Sequence, residues 1–192
     1  MADTLERPQA PTRRRLDVDA YYRMAEAGIL PAGCRVELID GDIIDMVPIG
    51  SPHAGHTISL VRAFARAAAD DLVSLTVQTP LRLDRYNEPQ PDLVLLRRRP
   101  DNYKSRHPSA ADVLLLVEVS DSSLAYDRST KLGLYARFGV PEVWIVDIPG
   151  AAVEAHRNPR AGVYADSERL ASGRQAPALV PGVSVDVTAL LA

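Results

Sequence analysis

Apolar positions recur along the chain with two different periods, and the changes of period divide it into elements. From Leu16 to Gly28, "LDVDAYYRMAEAG", the pattern is that of a short helix, which Asp17 or Asp19 can cap and Gly28 can stop. Two short apolar runs follow in "CRVELIDGDIIDMVP", set about Asp40-Gly41, a dipeptide that favours a type I′ hairpin turn. Then "SPHAGHTISLVRAFARAAADD" places Ile58, Val61, Phe64, Ala65, Ala68 and Leu72 at helical spacing, with Ser51 or Pro52 at its opening.

Beyond Leu72 the period shortens. "LVSLTVQTPLRL" alternates as a strand does, and "PDLVLL" is a short apolar strand opened by a proline. A basic, Pro-rich loop, "RRRPDNYKSRHPSAAD", leads from it into a second apolar strand, "VLLLVEVS". Residues 123–138 read as a helix that Gly139 closes in the left-handed conformation, with Pro141 just beyond. "EVWIVD" is a further buried strand, "AAVEAHRNPRAGVYADSERLASG" a hairpin or meander, and "VPGVSVDVTALLA" a closing strand and short turn. Strand, crossover helix, strand predicts a parallel pair with a right-handed connection; the earlier hairpin strands are expected antiparallel. The sum is an α/β (or α+β) chain: a mixed central sheet flanked by helices, with an extra N-terminal hairpin and C-terminal strands. We expect one domain over 16–192 behind a flexible leader, 1–15.

At 46% hydrophobic and 24% charged, the 192 residues supply an ordinary core. No run reaches the eighteen apolar residues of a membrane span, and the N-terminus lacks the apolar middle of a signal peptide. Both features predict a cytoplasmic protein without a membrane partner. The single Cys34 excludes an internal disulfide framework and a Cys-based zinc site. A net charge of −3 argues against wholesale electrostatic binding to nucleic acid, yet leaves room for a local basic strip.

Candidate chemistry begins with Glu118, a carboxylate inside an apolar strand, where a charge is costly unless it is paired. Asp92 opens the preceding strand, 26 residues earlier, so adjacent strands can bring the two side chains together. A divalent cation relieves the repulsion of neighbouring carboxylates, and hard oxygen ligands select Mg²⁺ or Mn²⁺ over zinc. Lys131 lies on the helix that follows, four residues beyond Asp127, and Glu37 sits within "RVELID". Each has a structural reading too: Asp127 and Lys131 match an ordinary i,i+4 ion pair, and Glu37 a solvent-facing strand position. Gln78, at a strand end, can hydrogen-bond a metal shell. His53 starts a helix whose N-terminus can receive phosphate, whereas His53 and His56 at i,i+3 lack a third metal ligand nearby. Arg97, Arg98, Arg99, Lys104 and Arg106 are the best candidates for phosphate contacts, against the reading of a solvated loop. Tyr126, Tyr135, Phe138 and Trp144 are spaced for core packing.

Here the sequence resembles a family. "PD" at 91–92 with "VEVS" at 117–120 looks like the PD-(D/E)XK nuclease signature. Together, "VELIDGDIIDMVP", "PDLVLL" and "LLLVEVSDSSLAYDRSTKLGLYARFGVPEVWIVD" resemble the Uma2-type restriction endonucleases, the group also called DUF820. The resemblance implies a restriction-endonuclease-like fold and a Mg²⁺-dependent (or Mn²⁺-dependent) endodeoxyribonuclease acting on DNA. It implies Asp92 and Glu118 as metal ligands, with the Val119 carbonyl beside them; Glu37, if it does not simply face solvent, can act through a metal-bound water. Position 120, where the signature has lysine, holds Ser120, so the resemblance implies that Lys131 supplies the missing cation. Asp127, four residues earlier on the same helical face, can hold Lys131 in place or reach a metal-bound water. A homodimer would let two sites cut two strands. Two alternatives stay open: a catalytically inactive nucleic-acid-binding or scaffold protein that keeps the fold, and an enzyme acting on another phosphate ester.

Overall fold

The computed structural model describes residues 12–69 and 72–192. The predicted leader lies outside the described residues as far as residue 11. Within residues 12–15, Arg13 pairs with Asp42, and the Arg15 Nε–H donates to the Asp40 carbonyl at 2.8 Å.

The first helix, α1 (Val18–Glu26), is capped by Asp17, whose carboxylate accepts the Ala20 amide at 2.8 Å. Strands β1 (Val36–Ile39) and β2 (Asp42–Asp45) form the expected hairpin as a separate two-stranded sheet. Asp40 and Gly41 take φ of 50° and 80°, the type I′ signature. A Cβ on Gly41 would stand 2.6 Å from the Arg15 Cβ, so the turn also needs glycine for the close approach of that segment.

Helix α2 (Ser51–Ala69) packs Phe64 and Val61 of the predicted stripe against the core, but the stripe is rotated from the predicted one. Leu60 and Phe64 are fully buried, while Ile58 is 60% and Leu72 52% exposed. Thr57 joins the inner stripe because its hydroxyl is satisfied by the His53 carbonyl at 2.9 Å.

The main sheet has six strands in sequence order: β3 (Ser74–Val77), β4 (Leu93–Leu96), β5 (Val113–Ser120), β6 (Glu142–Asp147), β7 (Ala152–Arg160) and β8 (Val163–Leu170). Only β5 and β6 are parallel, joined by the predicted crossover helix. Strands β9 (Arg174–Gln175) and β10 (Val185–Asp186) form a small pair, and α5 (Val187–Leu191) closes the described chain. On one face of the main sheet, α2 and α5 cover Leu93, Leu115, Val117 and Trp144. On the other, the crossover helix brings Tyr135 against Val94, Leu116 and Val143. Lying between two layers, β5 is buried at all eight residues, hence its apolar composition.

The crossover helix is interrupted. It comprises α3 (Leu124–Tyr126), a single π-helical stretch (Asp127–Lys131) and α4 (Leu132–Arg137). It ends as expected: Gly139 has φ 73°, and the amides of Gly139 and Val140 return to the carbonyls of Ala136 and Tyr135, the Schellman pattern. No helix among the described residues is long and apolar enough to cross a membrane.

Candidate active site

Antiparallel pairing of β4 with β5 sets Leu93 opposite Val117. The register therefore brings Asp92 and Glu118 together at the end of the pair. The Asp92 amide lies 3.4 Å from Glu118 Oε2, and Asp92 Oδ2 accepts the Val119 amide at 2.9 Å. Both carboxylates face a cavity of about 310 Å³, walled by the β1–β2 hairpin and its following loop, the start of α2, and the crossover helix.

Lys131 enters from the π-helical stretch, only 5% exposed. Its Nζ lies 3.1 Å from Glu37 Oε2 and 3.3 Å from Glu118 Oε1. One ammonium thus ties the separate hairpin to the main sheet. Tyr135, one turn further along, donates its hydroxyl to Glu118 Oε1 at 2.5 Å. His53 Nε2 is 3.0 Å from Asp92 Oδ2, and Gln78 Nε2 is 3.4 Å from Asp92 Oδ1.

The expectation that Asp127 holds Lys131 is corrected. Asp127 instead accepts the hydroxyls of Ser120 and Ser123, each at 2.7 Å. The i,i+4 argument assumed an α-helix, whereas the π-helical hydrogen bond from the Leu132 amide to the Asp127 carbonyl changes the angular spacing. Ser120, which stands where the signature has lysine, anchors the start of the crossover through that bond.

Electrostatics follow from burial. Desolvation pushes the Glu118 carboxyl up to about 8; Lys131 opposes the rise, and Asp127 and Asp92 add to it. Burial alone would depress the Lys131 ammonium, but the carboxylates of Glu118, Glu37 and Asp127 outweigh it and hold the amine charged. Burial likewise raises Asp92, and the hydrogen bond and charge of His53, the Val119 amide and Lys131 bring it below its ordinary value. Tyr135 is raised well above its ordinary value, first by burial and then by Glu118, so it remains a donor.

Among the described residues, no three His, Cys, Asp or Glu side chains form a ready metal-binding group. The donor chemistry nevertheless fits a hard cation. Asp92 Oδ1 and Glu118 Oε2 carry only 3.4 Å contacts, while their sister oxygens take the shorter bonds, so two carboxylate oxygens keep free lone pairs. At Val119 the contact made is through the amide, to Asp92, with the carbonyl predicted as ligand.

The basic loop leaves β4 at the opposite end, about 13 Å of strand from Asp92. None of its five basic residues lines the cavity. Arg99 pairs with Asp101, Arg106 with Asp112, and the Arg97 Nε–H donates to the Ala111 carbonyl. The Arg106 hydrogen bond, with the Ser109 amide and hydroxyl, holds Asp112 down to about 2 despite partial burial. This group's stabilisation is present above its unfolded value of 3.8 and lost as pH falls through about 2. Asp112→Asn should therefore lower the urea midpoint at pH 6 and leave it unchanged near pH 1.5; equal midpoints at both values would refute the pairing's contribution.

Sequence reasoning missed Tyr135, taken for core packing, although its position four residues after Lys131 put it on the same helical face. It missed Tyr126, which lines the cavity and whose buried hydroxyl has no partner, and Arg35, which lines it nearer solvent.

A family model, Uma2, described as "Putative restriction endonuclease", matches residues 18–188. A crystal structure of a "putative nuclease belonging to DUF820" from Anabaena variabilis ATCC 29413 has TM-score 0.70 and 14% identity, covering 92% of this chain and 97% of that one. At that identity the likeness is one of fold. A comparison with curated proteins returned no match.

Proposed function

Because the chain belongs to the Uma2 family, we propose that its cavity hydrolyses phosphodiester bonds in DNA, as a metal-dependent endonuclease. The observation that carries this reading is the Lys131 ammonium, buried and held between Glu37 and Glu118 beside the Asp92 carboxylate. Asp92 and Glu118 are the residues to hold Mg²⁺ or Mn²⁺, with the Val119 carbonyl as a neighbouring ligand. Bound there, the cation supplies an acidified water and neutralises phosphoryl charge.

The chain's own residues do the rest. Lys131 orients the attacking water and steadies the charge that builds on the phosphorus oxygens, the task the signature gives to position 120. Glu37 fixes the direction of Lys131. Tyr135 and Lys131 occupy Glu118 Oε1, turning Oε2 toward Asp92. His53 and Gln78 hold the two oxygens of Asp92 in the same way, and Asp127 braces the crossover start against Ser120. The low exposure of Glu118 and Lys131 keeps bulk water away and strengthens each of these interactions.

The test is purified protein incubated with supercoiled plasmid in Mg²⁺, Mn²⁺ or EDTA. Nicked or linear product is expected with either metal and none with EDTA. Intact plasmid under every condition, or cleavage undiminished by EDTA, would refute the proposal.

A further inference from the structure

We propose that Arg35 is a phosphate clamp at the mouth of the cavity, gripping the non-bridging oxygens of a DNA backbone phosphate. The proposal rests on the nuclease reading and adds to it the residue that holds the substrate. Arg35 immediately precedes β1, two residues before Glu37, so strand alternation sets the two side chains on one face of the hairpin. Glu37 is 3% exposed and reaches Lys131; Arg35 is half-buried and lines the same cavity nearer solvent.

Its lack of partners is what distinguishes it. The cavity wall carries Glu37, Asp45, Asp92, Glu118, Asp121 and Asp127, yet the Arg35 guanidinium makes no hydrogen bond, ion pair or ring contact with any described residue. Lys131 is committed to Glu37 and Glu118, and His53 to Asp92. The basic loop lies at the far end of β4. Arg35 is therefore the arginine of this wall whose planar fork of donors stays available, and that fork matches two oxygens of a phosphate. An acidic cavity must also overcome its own repulsion to admit a polyanion, and a cation at the entrance does so. Tyr126 lines the same cavity, and its hydroxyl is buried without a partner. Burial raises that hydroxyl to about 12, so it is protonated and able to donate.

A backbone contact carries no sequence information, so its loss weakens all DNA alike. The experiment is steady-state cleavage of a labelled duplex in Mg²⁺ at several salt concentrations, with wild type, Arg35→Ala, Arg35→Lys and Arg160→Ala. Arg160 is exposed at the end of β7, outside the cavity, and its variant should match wild type. Arg35→Ala should raise KM by about 10- to 100-fold, more than it lowers kcat, as for a lost hydrogen bond to a charged group. The slope of log KM against log salt should fall by about one. Arg35→Lys should keep the slope with a smaller rise in KM, because it keeps the charge without the fork. A wild-type KM and slope in Arg35→Ala, or a loss confined to kcat, would overturn the clamp while leaving the nuclease reading standing. Wild-type protein that cuts no DNA would overturn both.

Discussion

Replacing Lys131 with alanine is expected to slow plasmid cleavage by about 100- to 1000-fold, the cost typical of losing a donor aimed at transition-state charge. In metal-free protein the same change should lower stability by on the order of 3 kcal/mol, because it leaves two buried carboxylates, Glu37 and Glu118, without their shared cation. The stability loss should be largest above about pH 8, where Glu118 is ionised, and smaller below it, where Glu118 holds its proton. Single-turnover cleavage and urea denaturation check the two parts separately. An undiminished rate for folded Lys131→Ala would reduce Lys131 to a strut between hairpin and sheet.

Glu118→Gln should abolish cleavage and also remove a pH dependence from the metal-free protein. The amide keeps an oxygen to accept from Tyr135 and Lys131, so the fold is retained, but it gives up a charged ligand. In wild type, burial raises this carboxyl from 4.5 to about 8, so the folded state binds the proton more tightly than the unfolded one. Its contribution to stability is complete below about 4.5 and is lost as pH rises through about 8. In EDTA, wild type should therefore weaken from pH 6 to pH 9 more than Glu118→Gln does. Parallel profiles, or residual cleavage by the variant, would contradict the assignment.

Much of this site was legible in the sequence because it follows from register. A proline-opened apolar strand and a second one carrying a lone carboxylate can pair so that Asp92 meets Glu118. A helix returning across the sheet can present Lys131 to the same place. What stayed hidden depended on details without a periodic signature. The π-helical stretch leaves no mark in the spacing of DRSTK, so Asp127 was matched to Lys131 when it bonds Ser120 and Ser123. The stripe of α2 is only partly legible: Phe64 and Val61 pack inward as their spacing predicts, but a satisfied Thr57 joins the inner face while Ile58 stays exposed. Charge density drew attention to the arginine-rich loop, yet an antiparallel β4 carries that loop away from Asp92. Arg35 drew none, since its interest lies in contacts it does not make.

Asp92 and Glu118, with Lys131 between Glu118 and Glu37, are proposed to form a phosphodiester-cleaving centre. Its most direct test is plasmid cleavage in Mg²⁺ by wild type and Asp92→Ala purified side by side, with circular dichroism confirming that both are folded. Asp92 joins the site through its carboxylate contacts to Val119, His53 and Gln78, so alanine removes the ligand while the paired strands β4 and β5 remain. Nicked and linear plasmid is expected with wild type and intact plasmid with the variant. Equal cleavage by the two proteins would contradict the proposal.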